Sequence, residues 1–204
     1  MYGDAAQWRR IATANALANP NHLFVGQQLR IPTLVESIAP PPEAATVRFA
    51  RVQASTAQAL RDLAPALRDR GRRLLDECLA GGLRLAITQG LRTWEQQEAL
   101  FAQGRTAPGR IVTNARGGQS YHNFGLAFDV VVLNGEGRMV WDPAHPGWRM
   151  AAETGKRLGL AWGGDWRSFR DLPHFERRGR LGLQRCRQLF HSGGLTAVWD
   201  GLGS

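Results

Sequence analysis

The chain has 204 residues, 43% of them hydrophobic, enough for one packed domain of ordinary size and a small additional module. Its net charge of +9 arises from 26 basic against 17 acidic residues, and because Lys156 is the sole lysine the surface is an arginine surface, attractive to polyanions in general but carrying no motif specific for nucleic acid. No run of about 18 apolar residues occurs, so the pattern contains no membrane-spanning helix.

The N-terminus shows neither a basic start with an apolar stretch nor a small-residue cleavage site, so export is expected to use another route or an upstream segment. Residues 1–32 hold a helical run with Trp8, Ile11, Ala12 and Asn15 on one face, an Asn19-Pro20-Asn21 break, and a short strand pattern ending at Ile31-Pro32. This order resembles the second half of a LysM module, a small peptidoglycan-binding unit. The first strand and helix are missing, and a half module cannot pair its strand or bury its helix alone. Pro40-Pro41-Pro42 marks residues 33–50 as a partly extended linker.

From 55 to 80, Leu60, Leu63, Leu67, Leu74, Leu75 and Leu79 alternate with Arg and Asp, which predicts an amphipathic helix, or two joined near Gly71, with Pro65 as a second candidate break. A strand follows over 83–89, then Gly90-Leu91-Arg92-Thr93 and a helix over 94–103. An arginine at a strand exit, just before a helix, is placed to meet a substrate carbonyl or carboxylate with its rigid fork; pairing with Glu95 or Glu98 is the structural alternative. Residues 104–119, rich in Gly, Arg and Thr, predict a loop. Asn134-Gly135-Glu136-Gly137 predicts a turn joining strands at 128–133 and 138–141, and a helix follows over 148–158. Trp162 and Trp166 are candidates either for walls of a cleft or for the core. Cys78 and Cys186 lack any C-x-x-C spacing and read as buried thiols, while His22, His145 and His191 share no motif with a nearby acid. The basic clusters at 68–73 and 177–180 read equally as solvated faces or as a functional patch. Residues 193–204 read as a loosely ordered tail.

Chemistry concentrates in Ser120-Tyr121-His122-Asn123-Phe124-Gly125-Leu126-Ala127-Phe128-Asp129, which leads into a β-branched run at Val130, Val131 and Val132. A carboxylate inside such a strand is costly to bury unless it is protonated, paired or bound to a metal. Asp129 follows His122 by seven residues, and Gly125 leaves the chain free to bring the two together. Asp171-Leu172-Pro173-His174-Phe175-Glu176 offers a third ligand, because Pro173 biases the chain toward a short extended segment that presents His174. His122, Asp129 and His174 are thus candidate ligands for a divalent cation, Zn2+ or another, and Asp171, three residues before His174, is placed to act as general base on a water. Ser120 is a candidate for substrate or ligand contact, or for a local backbone cap.

Together, Ser-x-His-x-x-Gly-x-Ala-x-Asp and an acidic residue three before a second His resemble the zinc D-Ala-D-Ala carboxypeptidase family of peptidoglycan peptidases over roughly residues 54–190. The Asp-x-Pro-His-Phe-Glu form is most similar to its L-alanyl-D-glutamate endopeptidase branch, found in phage endolysins. The resemblance implies an α+β fold with a small antiparallel central sheet and flanking helices, of the D-Ala-D-Ala peptidase and hedgehog-like type, in a zinc peptidase domain over 51–192. It implies an active-site role for Arg92, peptidoglycan as substrate, and action on the cell wall, either periplasmic or extracellular or as a phage lysin released from the cytoplasm. D-Ala-D-Ala carboxypeptidase activity and non-catalytic wall binding are the alternatives. A monomer is expected.

Overall fold

The computed structural model describes residues 42–202 together with Asn15 and Leu29. The LysM-like reading of 1–32 and the first part of the expected linker lie outside the described residues. The chain divides into two compact units, Met1–Thr46 and Val47–Ser204, and the second holds the elements that build the site.

Helix α1 spans Pro42–Arg61 and α2 spans Pro65–Ala80. The stretch from 42 to 50, expected as linker, is therefore helical. The break between the two helices falls at Pro65 and not at Gly71, because Pro65 has no N–H to give and forces Ala64 before it into an extended conformation (ψ 138°). Gly71 instead lies buried inside α2, where its missing side chain admits Leu60 of α1: a Cβ there would stand 2.9 Å from Leu60 Cδ2.

Five strands form one sheet: β1 (Arg84–Gln89), β2 (Ala127–Leu133), β3 (Met139–Val140), β4 (Ala161–Trp162) and β5 (His174–Glu176). Their order is β1-β2-β5-β4, with β3 also on β2, and every pairing is antiparallel. The fold is thus α+β with a small antiparallel sheet, and β2 is its central member because its apolar run is buried on both faces. The turn at 134–137 joins β2 to β3 as the sequence predicts, and Asn134 fastens it by accepting from the N–H groups of Glu136 and Arg138. Helices α3 (Trp94–Ala102), α4 (Gly147–Arg157) and α5 (Leu183–Asp200) complete the domain.

The core lies between the sheet and helices α2 and α4, around Leu67, Leu74, Ile87, Phe128, Val130 and Phe175, all essentially inaccessible to solvent. Phe128 of β2 and Phe175 of β5 stack at 5.9 Å. Cys78 and Cys186 are buried free thiols. The tail differs from expectation: α5 breaks at Gly193 and Gly194 (φ 66°, ψ −156°) but resumes to Asp200. Val198 is fully buried and the Trp199 indole donates to the carbonyl of Phe124, so this end of the chain is tied to the segment carrying His122.

Gly155 of α4 packs directly on β5; a Cβ there would stand 2.4 Å from Cε1 of the fully buried Phe175 ring. Gly155→Ala is expected to destabilise the fold by about 1–3 kcal/mol despite alanine's better helix propensity, because overpacking outweighs it. Urea unfolding measures this directly.

Candidate metal centre and cleft

Three elements deliver the site. In the antiparallel ladder of β2 and β5, Asp129 lies directly opposite His174, so the two side chains share one face of the sheet. His122 comes from a short 3₁₀ helix, Tyr121–Phe124, that immediately precedes β2. Gly125 ends that helix in the left-handed region (φ 65°), turning the chain so sharply that His122 and Asp129 can meet. The N-terminal end is fixed by a cap in which the Ser120 hydroxyl accepts from the His122 N–H and Asn123 Oδ1 accepts from the Ser120 N–H. The Asn123 amide also donates to the carbonyls of Arg92 and Thr93, fastening the helix to the exit of β1.

His122 Nε2, His174 Nδ1 and Asp129 Oδ1 form a triangle with all three edges 3.2 Å. Both imidazoles are buried. His122 Nδ1 faces the carbonyl of Gly90 at 2.8 Å, and since a carbonyl only accepts, that nitrogen bears the proton. His174 Nε2 likewise faces the Glu176 carboxylate at 3.1 Å. In the neutral tautomers so assigned, two nitrogen lone pairs and a carboxylate oxygen converge with no proton among them. Three donors around a tetrahedral zinc at about 2.1 Å lie roughly 3.4 Å apart, so spacing and donor set both fit such an ion. Among the described residues this is the group of acids and histidines able to hold a metal.

Without a cation, electrostatics add one proton to that arrangement, on His174. Burial alone would raise the Asp129 carboxyl, but the imidazoles of His122 and His174 hold it far below the usual carboxylate range. Burial would lower His174, yet Asp129 and Glu176 on its two sides lift it to about 9. A proton therefore occupies the His174 imidazole at neutral pH whenever no cation does.

The triangle lies in a cleft of about 580 Å³ lined by Arg92, Ser120, Tyr121, Trp166, Phe169, Asp171 and Arg178 among others. Asp171 is raised above the normal carboxyl range by burial and by the charge of Asp129. Gly163 makes its placement possible: the Asp171 N–H donates to the Gly163 carbonyl, and a Cβ on Gly163 would meet Asp171 O at 2.5 Å. Trp166 stands beside His174 with ring centroids 4.9 Å apart. Trp162, the other tryptophan candidate, is not a cleft residue; its indole donates to the Leu172 carbonyl and its ring packs on the core. Arg92 pairs with neither Glu95 nor Glu98. Its Nη1 donates to Gln97 Oε1 at 2.7 Å and its Nη2 lies 3.5 Å from Asp129 Oδ2, while its buried Nε has no partner among the described residues. Glu98 is taken by Arg116.

Four contributors escape a reading of the sequence. Gln97 is fully buried on α3 and holds the cleft loop through Thr113 and the Ala115 carbonyl as well as bracing Arg92. Asn123 links the 3₁₀ helix to β1. Glu176 orients His174, and its position two residues on, on the same face of β5, was the available signal. Phe169 takes a left-handed backbone (φ 54°) at the cleft edge and is about half exposed.

Comparison with known proteins places these features in context. Two family models described as D-alanyl-D-alanine carboxypeptidase match residues 113–177 and 60–142. The chain is 41% identical over 122 residues to the peptidoglycan L-alanyl-D-glutamate endopeptidase CwlK of Bacillus subtilis, covering 56% of this chain and 73% of that protein. It is 35% identical over 107 residues to an L-alanyl-D-glutamate peptidase of Listeria phage A118, covering 52% of this chain and 34% of that one. Among solved structures it is similar to the Serratia marcescens L-Ala D-Glu endopeptidase ChiX, with 23% identity, a TM-score of 0.45, and coverage of 60% of this chain and 86% of that one.

Two outcomes test the centre itself. Metal loading near pH 7 is expected to release about one proton, since the His174 proton, held with a pKa of about 9, must leave first. Affinity therefore rises as pH rises toward 9. Calorimetric titration in buffers of different ionisation enthalpy reads this, and a buffer-independent enthalpy would contradict it. Glu176→Gln is expected to weaken metal affinity by roughly 10–100-fold with the fold intact, measured by competition with a chromogenic chelator.

Proposed function

The chain belongs to the D-alanyl-D-alanine carboxypeptidase family, and from that premise we propose that it is a metallopeptidase that hydrolyses peptidoglycan stem peptides between L-alanine and D-glutamate. The observation carrying this reading is the triangle of His122 Nε2, Asp129 Oδ1 and His174 Nδ1 at the base of an open cleft, with a raised Asp171 carboxyl on its wall. The endopeptidase specificity is supported by the kinship with the Bacillus and phage enzymes.

Zn2+ is the proposed ion, held by His122, Asp129 and His174; when bound it supplies a Lewis acid and makes water a usable nucleophile near neutral pH. The remaining steps belong to side chains. Asp171 accepts the proton of the attacking water and hands it to the amine that leaves. A carboxylate held above its usual pKa by burial and by Asp129 is a better proton acceptor than a surface aspartate. Arg92, braced by Gln97 and Asp129, presents positive charge to the cleft and offsets the charge that develops on the scissile carbonyl oxygen. Trp166 and Phe169 supply apolar walls for the peptide. The protein acts on the cell wall, and no helix among the described residues is long and apolar enough to cross a membrane. The catalytic unit is proposed to occupy 51–192, with residues 1–32 as a partial LysM-like segment.

D-Ala-D-Ala carboxypeptidase activity is the second reading, favoured by the description of the matching family models. Digestion of purified peptidoglycan followed by mass spectrometry separates the two: a new D-Glu N-terminus supports the endopeptidase and released D-alanine the carboxypeptidase. Retention on the wall without cleavage, unaffected by EDTA, would instead mark a binding protein. Asp171→Asn is expected to keep its metal but lose on the order of a hundredfold or more in turnover, whereas His174→Ala loses metal and activity together. An Asp171→Asn protein cleaving at the parental rate would exclude the proton-transfer role.

A further inference from the structure

Building on the stem-peptide reading above, we propose that Arg178 binds the free carboxylate of the D-glutamyl residue on the leaving side of the scissile bond. An internal glutamyl residue uses one carboxyl in the chain and keeps the other ionised, close to the nitrogen that departs. Beside the ion, the cleft carries the Asp171 and Glu176 carboxyl groups, so a free carboxylate on the substrate needs a cation of its own to offset them. Two arginines are among the lining residues, Arg92 and Arg178.

Arg92 is poorly suited to that task. Its side chain is 12% exposed, and its two terminal nitrogens are directed at Gln97 and Asp129. Arg178 has the opposite character. Its side chain is 58% exposed, and its Nε lies 3.8 Å from Glu176 Oε1, too far to consume the fork. Its guanidinium lies 5.9 Å from the centre of the Tyr121 ring. Tyr121 is itself fixed, because its hydroxyl donates to the Leu181 carbonyl. Arg178 is therefore steered by two neighbours while remaining open to the cleft, and the planar fork of an arginine matches a carboxylate edge to edge. It follows Glu176 by two residues at the end of β5, so the strand that carries His174 also sets the distance from metal centre to cation.

The test uses the full-length zinc-loaded protein and two synthetic stem peptides, identical except that the free D-glutamyl carboxylate of one is a carboxamide in the other. The parent is expected to favour the carboxylate peptide by roughly tenfold or more in kcat/KM, mainly through KM. Arg178→Gln should lower cleavage of the carboxylate peptide to the level of the carboxamide peptide, Arg178→Lys should retain part of the preference, and zinc content should stay at the parental value in both. A parent that does not discriminate overturns the assignment, as does an Arg178→Gln protein that slows on both peptides equally or loses zinc. A parent that cuts neither peptide overturns the stem-peptide reading itself, and the role of Arg178 falls with it.

Discussion

The alignment of Asp129 with His174 across the β2–β5 ladder is the constraint on which the rest of the molecule depends. Strand pairing fixes two donors from positions 45 residues apart on one face of one sheet, with no adjustable loop between their backbones. The third donor is then positioned by backbone geometry alone, through the left-handed turn at Gly125 and the cap made by Ser120 and Asn123. Two outward hydrogen bonds, from His122 to the Gly90 carbonyl and from His174 to Glu176, decide which nitrogens face inward. A site so assembled is preorganised by the same interactions that hold the sheet together, and folding itself bears the cost of bringing three polar groups into contact.

The buried layer around the centre shows how that cost is met. Asp129 is surrounded by two imidazoles and the Arg92 guanidinium, and Arg92 in turn leans on Gln97. Gln97 reaches the loop at 113–115 that forms one side of the cleft. The His122–Asp129–His174 triangle, the arginine beside it and the rim of the cleft thus form one continuous polar network, so a change at Gln97, invisible to solvent, reaches both the carboxylate and the cleft.

Much of this was legible in the sequence because chemistry-bearing residues stood where an apolar pattern did not call for them. An aspartate within a β-branched run and a histidine directly after Leu-Pro are locally anomalous, and local anomalies can be read one residue at a time. The hairpin at 134–137 and the helices around 94–103 and 148–158 followed from turn residues and periodicity. What stayed hidden depended on tertiary neighbours. Gly71 looks like a helix end, yet it serves the packing of Leu60; Trp162 and Trp166 look equivalent, yet a single hydrogen bond to Leu172 draws one of them into the core. Gln97 and Asn123 are ordinary polar residues whose importance arises only once distant carbonyls are brought beside them. The helix after Gly193–Gly194 was unreadable because two glycines ordinarily end order, whereas here Val198 and Trp199 restore it by docking on the core.

β5 has three residues, and they leave no slack: His174 and Glu176 face the centre while Phe175 fills the core. Sliding this strand by one position would drive a phenyl ring into the donor triangle and a carboxylate into hydrocarbon. Diversification of such a scaffold is therefore channelled to the residues that border the groove outside the Gln97 network, notably Val112 and Asn114 and the bend around Phe169. An engineer seeking a new peptide preference has those two edges to rewrite, while the interior strand behaves as a fixed chassis.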